Sequence, residues 1–218
     1  MALQSQGSLL RRESTVAGTT ASLVSSAISF DSTLRTICRQ AGFADFSTGM
    51  RIEVGASLNS GVWTIKTTAA TALTVYEPLT AQTSGGDVTL LGHKMQNIGE
   101  VASYNGPALT ANVIDVTNLQ STAKEKLVGV HDPGQLSMSV FWDNEASRSA
   151  LHDGIRADLT GRTLRKWDIK FTETSTQPSA AYFEGYVSGF SISGAVDNPL
   201  KAEITIAISS GVDWINPV

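Results

Sequence analysis

The chain has 218 residues, of which 41% are hydrophobic and 17% charged, enough apolar material for one large or two small self-supporting cores. Sixteen Lys and Arg against twenty Asp and Glu give a net charge of −4, which excludes broad neutralisation of nucleic-acid phosphates. The lone Cys38, with His93, His131 and His152, excludes an internal disulfide framework or a cysteine-based zinc centre.

In chain order, residues 1–27 are polar and weakly patterned. They predict an N-terminal arm that orders only in an assembly, because alone they bury too little apolar surface to offset chain entropy. Arg11-Arg12 has the outline of a twin-arginine signal, but the Ser-, Thr- and Gly-rich residues after it are too polar for a signal core or a membrane helix. Residues 28–92 predict a small β module. Asp31 is placed to cap a short helix over 32–41, with Leu34, Ile37, Cys38 and Ala41 on one face. Met50, Ile52 and Val54 then alternate with Arg51 and Glu53, as in a half-buried strand. Short β-branched or aromatic runs follow at 62–66, 73–76 and 87–91, separated by turn residues at 59–61 and 84–86.

Residues 93–218 are more strongly patterned. Alternation predicts strands at 136–142, 164–172 and 200–208. A helix is predicted over 145–159, capped by Asp143 or Asn144, with Leu151, Ile155 and Leu159 as its apolar stripe and Gly161 as its left-handed stop. Trp142, Leu151, Ile155, Trp167, Ile169 and Phe171 are the expected helix–sheet core. Gly106 and Pro107 are expected to set one strand start, and Pro133 and Gly134 the turn into another. Charge is uneven: residues 1–92 hold six basic and six acidic side chains, whereas 93–218 hold ten and fourteen.

Motifs for chemistry are missing. There is no phosphate-binding loop and no dinucleotide fingerprint, and the spacing of Gly185, Gly189 and Gly194 suits bends or close approaches in a strand. His131-Asp132-Pro133-Gly134 is first a turn sequence. His152 and Asp153 are adjacent on a helix, where side chains diverge and form no dyad. No carboxylate pair has acid–base spacing. The expectation is a protein that is not an enzyme and has no cofactor or metal.

Asn105-Gly106-Pro107-Ala108-Leu109, Val113-Ile114-Asp115-Val116-Thr117-Asn118 and the run from Glu125 through His131-Asp132-Pro133-Gly134 to Ser137 resemble the major tail tube proteins of long-tailed, siphovirus-type bacteriophages. The later helix, the strand at 164–172, the Ala181-Tyr182-Phe183-Glu184-Gly185-Tyr186 strand and the strand at 200–208 follow in the same order. The resemblance covers residues from near 98 to the end. It implies a mainly β fold, a tail-tube-type sandwich or barrel with one flanking helix, here preceded by the small β module. It also implies hexameric rings stacked into a hollow conduit for DNA ejection, assembled in the host cytoplasm and carried in the virion. The implied partners are further copies of the chain, a tape-measure protein in the lumen, tail terminator and tail-tip proteins, and DNA passing without sequence-specific binding; no membrane is involved. The polar loop at 121–130, centred on Lys124, Glu125 and Lys126, is the expected inter-ring contact. A tail terminator, a neck protein or a contractile-injection tube protein is the alternative within the same ring-forming class.

Overall fold

The computed structural model describes residues 8–14, 20–118, 120, 122–142, 146–171, 179–196 and 198–215. The fold is mainly β, with one helix among the described residues. The chain forms two compact units. The N-terminal unit comprises Met1–Asn97, Ile169–Ala180 and Ile215–Val218; the C-terminal unit comprises Ile98–Asp168 and Ala181–Trp214.

The N-terminal unit holds β1 (Leu9–Glu13), β2 (Thr20–Ser25), β3 (Ser29–Asp31), β4 (Thr36–Cys38), β5 (Arg51–Gly55), β6 (Gly61–Thr68), β7 (Ala72–Val75), β8 (Val88–His93) and β9 (Met95–Asn97). Seven of these form an antiparallel sheet in the order β2-β8-β5-β6-β7-β4-β3, while β1 pairs with β9. The sheet's end strands, β2 and β3, are separated in sequence by residues 26–28 alone, so the sheet rolls around one core. Phe30, Ile37, Phe43, Ile52, Ile65, Leu73 and Leu90 fill it, with the Phe43 and Phe46 rings edge to face at 6.0 Å. Burying each such side chain stabilises the fold by about 1.5–3 kcal/mol.

Three expectations change here. Residues 9–13 and 20–25 of the predicted arm are strands: β2 pairs along its whole length with β8, Ala21 opposite Gly92 and Leu23 opposite Leu90. Its partner lies far along the sequence, so local composition did not reveal it. The predicted helix over 32–41 is a β hairpin. Asp31 does accept the amides of Thr33 and Leu34, at 2.8 and 2.9 Å, but it caps a turn. Arg35 then adopts φ +51°, and β4 pairs with β3 and β7, burying Ile37 and leaving Leu34 in solvent. Arg51, expected on a wet face, is 1% exposed. Its guanidinium donates to the Thr64 hydroxyl and lies 3.7 Å from Glu77. Glu77 in turn accepts the Thr64 N–H and hydroxyl, both at 2.8 Å. A charge at this depth requires such a compensating set.

The C-terminal unit holds β10 (Val101–Asn105), β11 (Thr110–Asp115), β12 (Lys126–Asp132), β13 (Gln135–Phe141), α1 (Ala146–Gly161), β14 (Leu164–Lys170), β15 (Ala180–Ser193), β16 (Lys201–Ile208) and β17 (Asp213–Ile215); the ends of β14, β15 and β17 reach residues of the first unit. The main sheet runs β10-β13-β16-β15-β14, with β17 beside β15. Register places Leu136 opposite Ile206, Met138 opposite Ile204 and Val140 opposite Ala202. All six are buried, because a period of two keeps every apolar pair on the same face. β15 is buried from Ala180 to Phe183 and again at Gly185 and Val187, with Tyr186 exposed between them; it bulges between Val187 and Gly189 and ends exposed.

The helix stop also differs from expectation. Gly161 is still helical, and Arg162 takes the left-handed conformation at φ +51°. The Thr163 amide closes the turn on the Asp158 carbonyl at 3.0 Å, a Schellman-type bond. The Asp158 carboxylate holds Arg165 at 3.1 Å. The expected capping residues, Asp143 and Asn144, lie outside the described residues.

Candidate assembly site

β11 and β12 form a separate two-stranded ribbon. Asp115 faces Lys126, Ile114 faces Leu127 and Val113 faces Val128, with a bulge between Ala111 and Val113. Neighbouring residues of a strand point to opposite faces. Val113 and Val128 therefore cover one face and Ile114 and Leu127 the other. None is buried: Val113 is 53% exposed, Leu127 59%, Val128 64% and Val130 90%. A two-stranded ribbon is marginal in water by itself, and exposed apolar side chains of this density mark an interaction surface.

The two turn motifs meet at the base of the ribbon. Gly106 has φ +114° and Gly134 φ +70°, conformations that disfavour any side chain. A Cβ at Gly106 would overlap the Gln135 carbonyl, and one at Gly134 would overlap the Ala108 carbonyl. The Asp132 carboxylate accepts the Gly134 amide at 2.8 Å and completes the turn. Pro107 and Pro133 sit half-buried beside these glycines. Gly134→Ala is expected to cost about 1–3 kcal/mol, measured as a fall in the unfolding midpoint. Gly211→Ala, where an added Cβ meets nothing within 4 Å, is the matched control and should leave the midpoint unchanged.

At the far end of the ribbon, Lys124 and Glu125 lie in the connection, whereas Lys126 already begins β12; all three are exposed. The expected loop at 121–130 is thus half strand, and its Ser121 lies outside the described residues. The connection is tied rather than loose: Val116 N donates to Glu125 O, and Glu125 N to the Thr117 hydroxyl, both at 3.0 Å. The Thr117 hydroxyl and amide donate to Asp115 and hold its carboxyl below the usual value. That turn is fully stabilised above the ordinary Asp range and loosens as pH falls towards the lowered value.

The expected core residues divide. Ile155, Trp167 and Ile169 are buried, and the Trp167 indole N–H donates to the Gly185 carbonyl at 3.2 Å. A Cβ at Gly185 would press on Ile206 and the Ala207 carbonyl at 2.7–2.8 Å, so glycine permits the close strand approach. Trp142 and Phe171 are half-buried. The Trp142 ring stands 5.2 Å from that of buried His152 and 5.8 Å from Phe190. Leu151 lies on α1, with its side chain outside the described set.

The sequence reading missed the apolar body of the ribbon. Its signal was present: Val113-Ile114 and Leu127-Val128 are apolar neighbours without alternation, and among the described residues nothing buries them. Among the described residues no group of His, Cys, Asp and Glu is arranged to hold a metal, and no helix is long and apolar enough to cross a membrane.

A family model described as "Phage tail tube, TTP, lambda-like" matches residues 62–218. No curated protein matches the chain. The family match begins within β6 and runs through the ribbon, the main sheet and the helix, well over half of the sequence. The chain belongs to the lambda-like phage tail tube family, and is a structural component of the tail of a bacteriophage virion.

Proposed function

We propose that this chain closes into hexameric rings which stack into the hollow tail tube and form the conduit for DNA ejection. Family membership supports self-assembly with other tail proteins. The observation that carries the finer reading is the ribbon, which is apolar on both faces and uncovered among the described residues. A head-to-tail assembly needs two different mating surfaces. The ribbon is one; Ile192, Val196 and Leu200 at the exposed β15–β16 connection offer another. Lys124, Glu125 and Lys126, at the ribbon's tip, make the inter-ring contact. The tape-measure protein occupies the lumen until ejection, and terminator and tail-tip proteins close the two ends. The excess of acidic residues in 93–218 keeps passing DNA from adhering.

Negative-stain electron microscopy across a concentration series tests this reading. Hollow tubes, or six-fold rings that stack at high concentration, are expected. Closed rings that never stack would favour a terminator or neck role. Replacing Lys124, Glu125 and Lys126 together by alanine should leave a soluble, folded chain that makes no tubes; normal tubes from that variant would remove the contact from the ribbon's tip.

A further inference from the structure

The two faces of the β11–β12 ribbon differ in charge. On the face of Val113 and Val128, Asp115 stands opposite Lys126, so that face carries a matched pair. The other face holds Ile114 and Leu127, and the register runs on through the Val116 N–Glu125 O bond. Alternation adds Val116 and Glu125 to it, which gives three apolar side chains and one carboxylate.

A groove in the same C-terminal unit has the complementary make-up. Phe141, Ser193, Ala195, Asn198, Pro199 and Lys201 line an open space of about 370 Å³ at the β15–β16 connection. Lys201 is the one charged residue among these, and its ammonium stands 5.4 Å from the centre of the Phe141 ring. The walls are tied in place: the Asn198 amide donates to the Ala195 carbonyl at 3.2 Å, and the Trp142 amide to the Leu200 carbonyl at 2.8 Å. Ile192, Val196 and Leu200 of the same connection are exposed, so apolar surface continues past the rim.

We infer that the groove of one copy receives the Ile114–Leu127 face of a second copy's ribbon, with Glu125 paired to Lys201. This contact rests on the self-assembly proposed above and adds the surface that covers the ribbon. At about 30 Å³ of liquid volume for each water-sized group, the space takes the Ile114 and Leu127 side chains together. Walls fixed in advance keep the ordering cost of binding low. An ion pair closed in by apolar neighbours is screened little by salt. Because the two surfaces differ, the contact runs head to tail and leaves each copy one of each to offer to the next.

Charge reversal and cross-linking of the full chain test the contact. Glu125→Lys and Lys201→Glu are each expected to weaken self-association by about tenfold or more in sedimentation, since each sets like charges together. The double reversal should restore the parent's affinity. Glu125 is exposed and Lys201 half-buried, and a thermal melt verifies that each variant is folded. In a Cys38→Ser background, Leu127→Cys with Ala195→Cys and a short bis-maleimide should give a ladder of covalent oligomers on a denaturing gel. Leu127→Cys with Leu58→Cys, an exposed position of the N-terminal unit, should give none. Absence of either the rescue or the ladder would overturn the contact. Tubes that form without the ladder would overturn it and leave the tube assignment standing; a chain that stays monomeric at every concentration would overturn both.

Discussion

Val113→Asp combined with Leu127→Asp is expected to abolish tube formation while leaving the chain folded. Both positions are more than half exposed in the isolated chain, and substitutions at such sites usually change stability by within about 0.5 kcal/mol. In the proposed assembly the same side chains would be buried, and an unpaired carboxylate there would cost several kcal/mol. Each 1.4 kcal/mol is about a tenfold loss of affinity, and a tube repeats the loss at every copy. Circular dichroism and sedimentation should report a folded, dispersed protein; electron microscopy should show no tubes at concentrations where the parent forms them. Because Val113 and Leu127 lie on opposite faces of the ribbon, the two single substitutions separate the faces. Equal loss from each indicates a ribbon gripped on both sides. Normal tubes from the double variant would refute the ribbon as an assembly element.

Trp167→Ala is expected to have the opposite signature, loss of the fold itself. Trp167 is 1% exposed in β14 and bonds the Gly185 carbonyl. Removing a buried aromatic of this size typically costs about 3–5 kcal/mol, and an orphaned buried carbonyl adds about 1–3 kcal/mol. For a chain of this length each kcal/mol lowers Tm by about 2–4 °C, so a fall of about 10 °C or more is predicted, with soluble yield falling alongside. Trp142→Ala, at a half-buried position, should cost less. Equal melting of the Trp167→Ala and parent proteins would show that this side chain does not hold the sheet.

The elements that could be read from the sequence are those whose period is their cause. Leu136, Met138 and Val140, and Ala202, Ile204 and Ile206, alternate because one face of a sheet is dry, and all six are buried. The helix over Ala146–Gly161 was visible as a 3.6-residue stripe between strands. The fold class and the tail tube family follow from this ordered series, since each element's pattern is local. Elsewhere local signals were correct in kind and were overruled in use. Asp31 does cap two amides, but β3, β4 and β7 gain more from sheet pairing and a buried Ile37 than a short helix would gain from its own bonds. Gly161 could have taken the left-handed position; the helix extends one residue further and Arg162 takes it instead.

By itself, the sequence determined that this is a mainly β protein of the tail tube family. Those properties depend on neighbours within a few residues, where periodicity and turn chemistry act directly. The tertiary structure alone decided that β2 belongs to the rolled sheet, that Arg51 is buried against Thr64 and Glu77, and that the apolar β11–β12 ribbon stays uncovered among the described residues. Each of these depends on which distant segment arrives opposite a given side chain. Alternation records that a face is apolar; it does not record whether this chain or another copy will cover it.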